Sequence, residues 1–251
     1  HYDKALSLNP NYADGWSNKG WTLDTLKDYN GAIAHYDRAL NLKPDLEWVF
    51  GYLLHARMKI GSWSGLESYL TSAFERVMAN EKVTNPFPLL SLTDDSLLHK
   101  KSSEIYVQNK HPKNLALGPI HKHGPQKKIC IGYFSADFRN HPVSLLTSEL
   151  FELHDRSKFE VHAFSLENEV TPGHIRQRLI NSFDHFHHVH DRSTNEIVEL
   201  ARSLSLDIAI DLAGFTKYGR PEIFIRRVAP VQVNYLGFPG TMGSINWDYI
   251  I

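Results

Sequence analysis

The first ten residues of this chain recur almost unchanged 34 residues later. Residues 1–10 read HYDKALSLNP and residues 35–44 read HYDRALNLKP, with the proline in register. A period of this length is typical of units of two antiparallel helices, which bury their apolar faces only by stacking on one another. The repeat therefore predicts helical hairpins over residues 1–60.

The residues between the two copies support the same interpretation. Small and large side chains alternate there as the packing of two helices requires, at Trp16, Gly20, Leu23, Tyr29, Ala32 and Ile33. The period of 34 residues is that of the tetratricopeptide repeat. Because at least three such units usually stack, we expect further repeats before His1. Their usual task is to hold a peptide or protein in a concave groove, which predicts protein partners for this region.

A helical connector and a linker are predicted over residues 61–126. Helical periodicity extends from about residue 46 to residue 98 and is broken at residues 85–88, which read NPFP. Another helix is expected to begin at Ser96. Residues 111–128 contain proline and glycine among lysines and histidines, a composition typical of a linker with a solvated basic face.

From Lys127 onward, apolar runs alternate with amphipathic segments, as units of strand, helix and strand require. Strands are predicted at residues 129–135, 159–165, 186–189, 208–212 and 231–236. Helices are predicted at residues 143–154, 173–181, 194–205 and 221–226, and Ser193 with Glu196 forms a capping-box pattern. Strands rich in valine and isoleucine with crossover helices predict a parallel, doubly wound sheet over residues 127–251. No Gly-x-Gly-x-x-Gly follows a strand, so a dinucleotide fingerprint is missing from the sequence.

Composition narrows the classes of partner. The formal net charge of the 251 residues is −1, which argues against nucleic-acid or membrane partners bound through charge. No apolar run approaches the roughly 20 residues that span a bilayer. Cys130 is the only cysteine, so an internal disulfide is excluded and a cytoplasmic protein is expected. The first residue is not Met and the last residues resemble the start of a strand, so we expect a piece of a longer protein.

Polar and small residues follow three of the predicted strands. Asp137 and His141 follow the first strand, four residues apart, where a carboxylate and an imidazole can move a proton. Because ligands bind at the carboxyl ends of parallel strands, the turns after the fourth and fifth strands are predicted to line the same cleft. The alternative is turn chemistry alone, in which Asp137 caps the turn and His141 packs beside it.

A run of histidines near residue 188 suggests a metal site at first sight. Strand alternation places His185 and His187 on one face, and His188 and His190 on the other. Two ligands on each face are too few for a structural zinc site without further ligands. No metal site is therefore predicted, and a half-exposed edge strand is expected.

Several collinear motifs resemble one known family. Residues 132–142 (GYFSADFRNHP) resemble the start of the catalytic region of O-linked N-acetylglucosamine transferases and their Spindly-like relatives. Further motifs similar to that family are DLAGFT at 211–216, APVQ at 229–232, LGFPGTMG at 236–243 and DYII at 248–251. Tetratricopeptide repeats followed directly by this sequence are that family's layout, so the resemblance spans nearly the whole chain.

The resemblance implies a glycosyltransferase of two Rossmann-like lobes (GT-B type), of which this chain supplies the repeats and a truncated N-terminal lobe. It implies first-lobe active-site positions for Asp137 and His141, with a loop at Leu236, Gly237 and Pro239 beside the donor. The full set of expected substrate-binding residues is Pro142, Phe215, Thr216, Leu236, Gly237, Pro239, Gly240 and Thr241. No cofactor is expected beyond a nucleotide-sugar donor.

The function that this resemblance implies is transfer of a sugar to protein Ser or Thr hydroxyls, with UDP-GlcNAc as the expected donor. Three departures from the family leave the sugar open, with fucose as one alternative: Val143 stands in place of Thr, Phe215 in place of Tyr, and residues 85–88 in place of a His-rich stretch. A non-catalytic repeat scaffold, and transfer to glycan or small-molecule acceptors, also stay open. Because the C-terminal lobe supplies most donor contacts in the family, the fragment is expected to be inactive alone.

Overall fold

The computed structural model describes residues 1–112, 116–120, 124, 126–167, 173–244 and 246–251. The chain divides into two compact units, His1–Tyr106 and Val107–Ile251. The helical part of the predicted connector belongs to the first unit, and the described part of the predicted linker belongs to the second.

The first unit is helical, as the repeat predicts. Its helices are α1 (Tyr2–Leu8), α2 (Ala13–Thr25), α3 (Tyr29–Leu42), α4 (Val49–Lys59), α5 (Leu66–Met78), α6 (Pro86–Leu89) and α7 (Ser96–Lys110), the last of which ends just beyond the unit. Helices α2 and α3 form the hairpin of the repeat, with Ala32, Tyr36 and Ala39 fully buried in its core. A Cβ atom at Gly20 would lie 2.7 Å from the Tyr36 ring, so the small residue of the repeat lets the two helices approach.

The proline-rich segment at residues 85–88 does separate two helices, but it also starts one. Helix α5 ends at Met78, and Pro86 occupies the first position of the short helix α6. Proline is tolerated there because the first N–H groups of a helix have no partner within the helix. The helix predicted to begin at Ser96 is confirmed as α7.

In its described residues, the second unit forms a parallel sheet of six strands with helices between successive strands from β1 to β5, which confirms the predicted fold class. The strands are β1 (Ile129–Ser135), β2 (Phe159–Ser165), β3 (His185–His188), β4 (Ile208–Asp211), β5 (Val231–Asn234) and β6 (Tyr249–Ile250), in the spatial order β3-β2-β1-β4-β5-β6. All five neighbouring pairs are parallel. The helices are α8 (Pro142–Glu152), α9 (His174–Asn181), α10 (Thr194–Ser203) and α11 (Glu222–Ile225).

Strands β1 and β2 have the bounds that the sequence predicts, whereas β4 and β5 end earlier. Strand β4 ends at Asp211 because its carboxylate turns back to accept hydrogen bonds from the next backbone N–H groups. Strand β5 ends at Asn234, since Leu236 has a left-handed backbone (φ 67°) that a strand cannot continue through. The capping box of Ser193 and Glu196 is confirmed at the start of α10.

The predicted linker lies partly outside the described residues, at 113–115, 121–123 and 125. Within its described part, the Arg202 guanidinium donates hydrogen bonds to the carbonyl oxygens of Leu117 (2.8 Å) and Gly118 (3.2 Å). That stretch is therefore tied to helix α10. Cys130 is buried, as predicted, and burial raises the pKa of its thiol to about 12. Among the described residues, every helix is too short or too polar to cross a membrane.

Candidate active site

The strand order places the candidate residues around one crevice. In the order β3-β2-β1-β4-β5-β6, chain connections run outward in opposite directions from β1 and β4. Such a reversal leaves a crevice outside the carboxyl ends of the two strands, which is where open α/β sheets bind ligands. Asp137 follows β1 and Phe215 follows β4, so both lie at this crevice edge.

Asp137 is buried and held from several directions. Its backbone N–H donates to Ser135 Oγ at 2.9 Å, and its carbonyl oxygen accepts a hydrogen bond from Ser144 Oγ. Its carboxylate oxygen Oδ1 accepts a hydrogen bond from Arg139 Nη2 at 3.1 Å. The guanidinium holds this carboxylate in a defined position, which suits orienting a ligand or the loop itself.

His141 is the N-cap of helix α8. The Val143 backbone N–H donates to His141 Nδ1 at 3.3 Å, so in the neutral ring the proton lies on Nε2. Asp137 Oδ2 lies 3.7 Å from the same Nδ1 atom, which is too long for a hydrogen bond. The side chain remains about a third exposed (35%), so its Nε2–H is the group available to a ligand. Capping, which the sequence suggested for Asp137, is here the role of His141.

Two charged residues at this edge belong to none of the sequence motifs. Glu167 follows β2 and Arg176 lies in α9, and both are buried. Arg176 Nη1 donates to Glu167 Oε2 and also to the carbonyl oxygen of Phe138 at 2.8 Å, while Arg139 Nε lies 3.9 Å from Glu167 Oε1. Burial raises the pKa of Glu167, and the two guanidinium groups oppose that rise. The signal that could have found Glu167 is its position directly after a strand.

The turn after β4 is organised by Asp211. Asp211 Oδ1 accepts hydrogen bonds from the N–H groups of Ala213 (3.0 Å) and Gly214 (2.9 Å), and Trp247 Nε1 donates to Oδ2 at 3.1 Å. Burial raises the pKa of Asp211, and these hydrogen bonds oppose the rise. In the same turn, Thr216 Oγ1 donates to the carbonyl oxygen of Ala213 at 2.8 Å, so this predicted binding residue also stabilises its own loop.

The turn after β5 packs against the turn after β4. The ring centroids of Phe215 and Phe238 lie 5.1 Å apart in an edge-on arrangement, and Phe238 is buried. Thr241 Oγ1 accepts a hydrogen bond from the Gly243 N–H at 3.2 Å. The remaining predicted binding residues lie half-buried or exposed in these turns or at the start of α8, as Leu236, Gly237, Pro239, Gly240 and Pro142.

Gly237 is the point of closest approach between the two turns. A Cβ atom at this position would lie 1.9 Å from the carbonyl oxygen of Leu212. Any residue larger than glycine would therefore push the two turns apart. We expect Gly237→Ala to lower the free energy of unfolding by about 1–3 kcal/mol, the usual cost of overpacking. Chemical denaturation measures it. Gly124→Ala is the matched control, because an added Cβ there meets no atom within 4 Å; an equal loss in the control would contradict the close-approach argument.

One group of described residues has the donor types of a metal site. Glu160, His162 and His185 place their ligand atoms within 4.8 Å of one another on β2 and β3. Strand β2 supplies two of these three residues. A count of the histidines along β3 alone therefore misses the group. β3 is an edge strand with half-exposed side chains, as expected.

Comparisons with known proteins identify the family and the fold. The family model described as glycosyl transferase family 41 matches residues 99–251, and a tetratricopeptide repeat model matches residues 13–46. The probable UDP-N-acetylglucosamine–peptide N-acetylglucosaminyltransferase SEC of Arabidopsis thaliana is 39% identical over 142 residues, which are 56% of this chain and 14% of that protein. The corresponding Caenorhabditis elegans transferase is 39% identical over 127 residues, covering 50% of this chain and 11% of its own length.

A solved structure shares the fold. A mutant of the Thermobaculum terrenum O-GlcNAc transferase superposes with a TM-score of 0.67 at 23% identity, over 99% of this chain and 48% of that one. The chain therefore spans about half of the solved structure and a small part of the curated relatives. At this identity the likeness supports the fold of helical repeats followed by a Rossmann-like lobe.

Proposed function

Because the chain belongs to glycosyl transferase family 41, we propose that it contributes the repeats and the first lobe of a protein O-GlcNAc transferase. Its complete polypeptide would move N-acetylglucosamine from UDP-GlcNAc to Ser or Thr hydroxyls. Two similar proteins carry the name of that activity. The observation that supports the proposal is the strand order, which sets the carboxyl ends of β1 and β4 side by side, with Asp137 and His141 following β1 and glycine-containing turns following β4 and β5.

The transfer makes one bond and breaks another at the anomeric carbon of the sugar. The acceptor oxygen forms a bond to the anomeric carbon while the bond from that carbon to the β-phosphate oxygen breaks. The departing UDP takes the bonding electron pair, and the hydroxyl proton must leave the acceptor. Groups that donate hydrogen bonds to the diphosphate therefore stabilise the charge that develops during the step.

We assign His141 to that donor role. Its Nδ1 accepts the Val143 N–H, so the neutral ring presents Nε2–H outward and can donate to a diphosphate or sugar oxygen. Taking a proton from the acceptor would need an unprotonated Nε2, which this hydrogen bond disfavours. Asp137, bound to Arg139, acts by holding the start of the loop. The leaving diphosphate is then the group that accepts the proton.

The glycine-containing turns are assigned to donor binding. Gly214 and Gly237 bring the backbones of the two turns together beside the crevice, which leaves short side chains and backbone N–H groups near any ligand there. Leu236, Pro239, Gly240 and Thr241 belong to the same turn. In the repeats, a concave groove is proposed to recruit the protein acceptor, and a cytoplasmic location stays a prediction from the sequence.

The test is ligand binding by the complete polypeptide. Thermal unfolding is followed with UDP, UDP-GlcNAc, GDP and GDP-fucose, for wild type and His141→Ala. A ligand that binds the folded state at 100 times its Kd stabilises by about 2.7 kcal/mol. We expect stabilisation by UDP and UDP-GlcNAc, weaker in the variant. Stabilisation by GDP-fucose alone would move the donor to fucose, and no stabilisation by any nucleotide would favour the scaffold.

A second arm identifies the acceptor. Transfer of labelled GlcNAc is measured on a Ser/Thr-containing protein extract and on free sugars, with and without residues 1–60. Protein labelling that falls when the repeats are removed supports the proposal. Equal labelling of free sugars, indifferent to the repeats, would contradict it and favour a glycan or small-molecule acceptor. The 251-residue chain alone is expected to transfer nothing, since it spans about half of the similar solved structure.

A further inference from the structure

Away from the crevice, the edge of the sheet holds a compact group of imidazoles around one carboxylate. Glu160 and His162 lie near the amino end of β2, and His185 begins β3 opposite His162. Glu160 Oε1 lies 3.3 Å from His162 Nε2 and 3.3 Å from His185 Nε2. The two imidazole rings are stacked, with centroids 4.6 Å apart. A single carboxylate oxygen is thus shared by two ring nitrogens.

His162 is the buried member of the group, with 2% of its side chain exposed. Its Nδ1 lies 3.1 Å from His187 Nε2, within hydrogen-bond distance. Its Nε2 is also buried, and among the described residues it has no partner in hydrogen-bond geometry. Nε2 faces the Glu160 carboxylate oxygen that it shares with His185, so a cation held between these three atoms would contact all of them.

We propose that Glu160, His162 and His185 bind one divalent cation of the Zn²⁺ class. Two imidazoles and one carboxylate, with an open fourth position for water, are a donor set that zinc accepts. Zinc–ligand bonds of about 2.1 Å at tetrahedral angles place neighbouring donor atoms about 3.4 Å apart. Both carboxylate-to-nitrogen distances, at 3.3 Å, already meet that value.

The surroundings support the site. His187 serves as the orienting partner of His162, in the way that a metal-ligating histidine bonds its second nitrogen to a neighbouring group. His185 and Glu160 are half-exposed (51% and 43%), so an ion can reach them from solvent. Their side chains can also move the short distance that brings the third pair of ligand atoms, the two histidine nitrogens, to the separation that zinc requires. The site lies at the amino end of β2, opposite to the end that borders the crevice, and it does not rest on the proposed transferase activity.

Zinc binding by the untagged, chelator-treated 251-residue chain tests the proposal. Competition with a chromophoric chelator gives affinity and stoichiometry, and Co²⁺ substitution gives the coordination geometry from its visible spectrum. We expect one ion per chain and an intense tetrahedral Co²⁺ band. Glu160→Gln and His185→Ala should each weaken binding at least about tenfold, and His187→Ala should weaken it by about 10- to 100-fold as an orienting residue.

Matched controls separate this site from nonspecific binding. His190→Ala removes an exposed histidine of the same run, and Glu199→Gln removes an exposed carboxylate; neither should change the affinity. Since Glu160 and His185 lie at the surface, their metal-free variants should keep the wild-type unfolding temperature. Absence of a bound ion at micromolar zinc, equal weakening by the controls, or an octahedral Co²⁺ spectrum would each overturn the proposal.

Discussion

Replacing His141 with alanine in the complete polypeptide should lower the kcat of sugar transfer by about 100- to 1,000-fold. Loss of one preorganised donor to a developing negative charge typically has this effect. The structure places the side chain at the crevice edge, with Nδ1 accepting from the Val143 N–H and Nε2 left to face a ligand. The measurement is steady-state transfer from UDP-GlcNAc to a protein acceptor, with the KM of the donor determined separately.

Two further variants divide the role of the ring into its two nitrogens. His141→Asn keeps an acceptor near the Nδ1 position and remains a good N-cap, but it has no group at the Nε2 position. His141→Gln keeps an N–H donor near the Nε2 position and cannot act as a base. We expect Asn to preserve stability while losing activity as alanine does, and we expect Gln to recover a large part of the activity.

A general base at His141 would give a different pattern. Gln would then be as inactive as alanine, and the wild-type profile of kcat against pH would contain an ionisation missing from every variant. Recovery by Gln with an unchanged pH profile supports the donor role. If Asn lowers the unfolding temperature as much as alanine does, the cap assignment is wrong, and the activity loss must then be corrected for unfolding.

Local patterns predicted the parts of this fold that depend on local physics. The bounds of β1 follow from a nearly continuous apolar run, because strands of a covered parallel sheet are buried on both faces. The start of α10 follows from Ser193 and Glu196, whose reciprocal hydrogen bonds involve neighbouring residues alone. The placement of Asp137 and His141 at the crevice edge follows from one rule about carboxyl ends of strands.

The features that the sequence did not predict depend mostly on how strands and helices pack against one another. Glu167 and Arg176 are nine residues apart, and their ion pair exists only once α9 packs against the end of β2. His162 meets His185 through the β2–β3 register, a relation that no periodicity along one strand contains. The early end of β5 depends on the left-handed backbone of Leu236, a conformation that its residue type does not announce.

The largest expected loss of stability comes from Arg176→Met. Removing one member of a buried ion pair leaves the other charge without a partner and costs about 3–5 kcal/mol. Both Arg176 and Glu167 are nearly inaccessible (4% and 3% of the side chain exposed), and Arg176 also donates to the Phe138 carbonyl oxygen at 2.8 Å. Urea unfolding of the 251-residue chain, followed by a signal from the sheet unit, measures the loss.

Arg178→Met is the matched control on the same helix. Arg178 pairs with Glu152, with distances of 2.6 and 2.7 Å, but both side chains are well exposed (46% and 37%). Exposed pairs contribute about 0–1 kcal/mol because water screens the charges. A loss in Arg176→Met no larger than in Arg178→Met would show that the buried pair does not stabilise the fold.

The stability lost in Arg176→Met should depend on pH in a definite direction. Burial already raises the pKa of Glu167, and Arg176 is the largest influence that opposes the rise, so removing Arg176 raises that pKa further. A carboxyl whose pKa is higher in the folded chain holds its proton more tightly there, so its contribution to stability falls as pH rises through the folded pKa. The cost of Arg176→Met should therefore be smaller near about pH 5 than at pH 7–8. A cost that grows on acidification would contradict the assignment.

The double variant Arg176→Met with Glu167→Leu separates charge from architecture. Replacing both members of a buried pair with apolar residues of similar volume is often neutral, so we expect stability to return close to that of the wild type. Arg176 also bonds to Phe138, the residue after Asp137, and Arg139 reaches from Asp137 toward Glu167. If stability returns while transfer by the complete polypeptide stays low, the pair's role is to hold the loop between Asp137 and His141 at the crevice. Because a purely structural pair would restore both properties together, the two readouts from one variant decide between these roles.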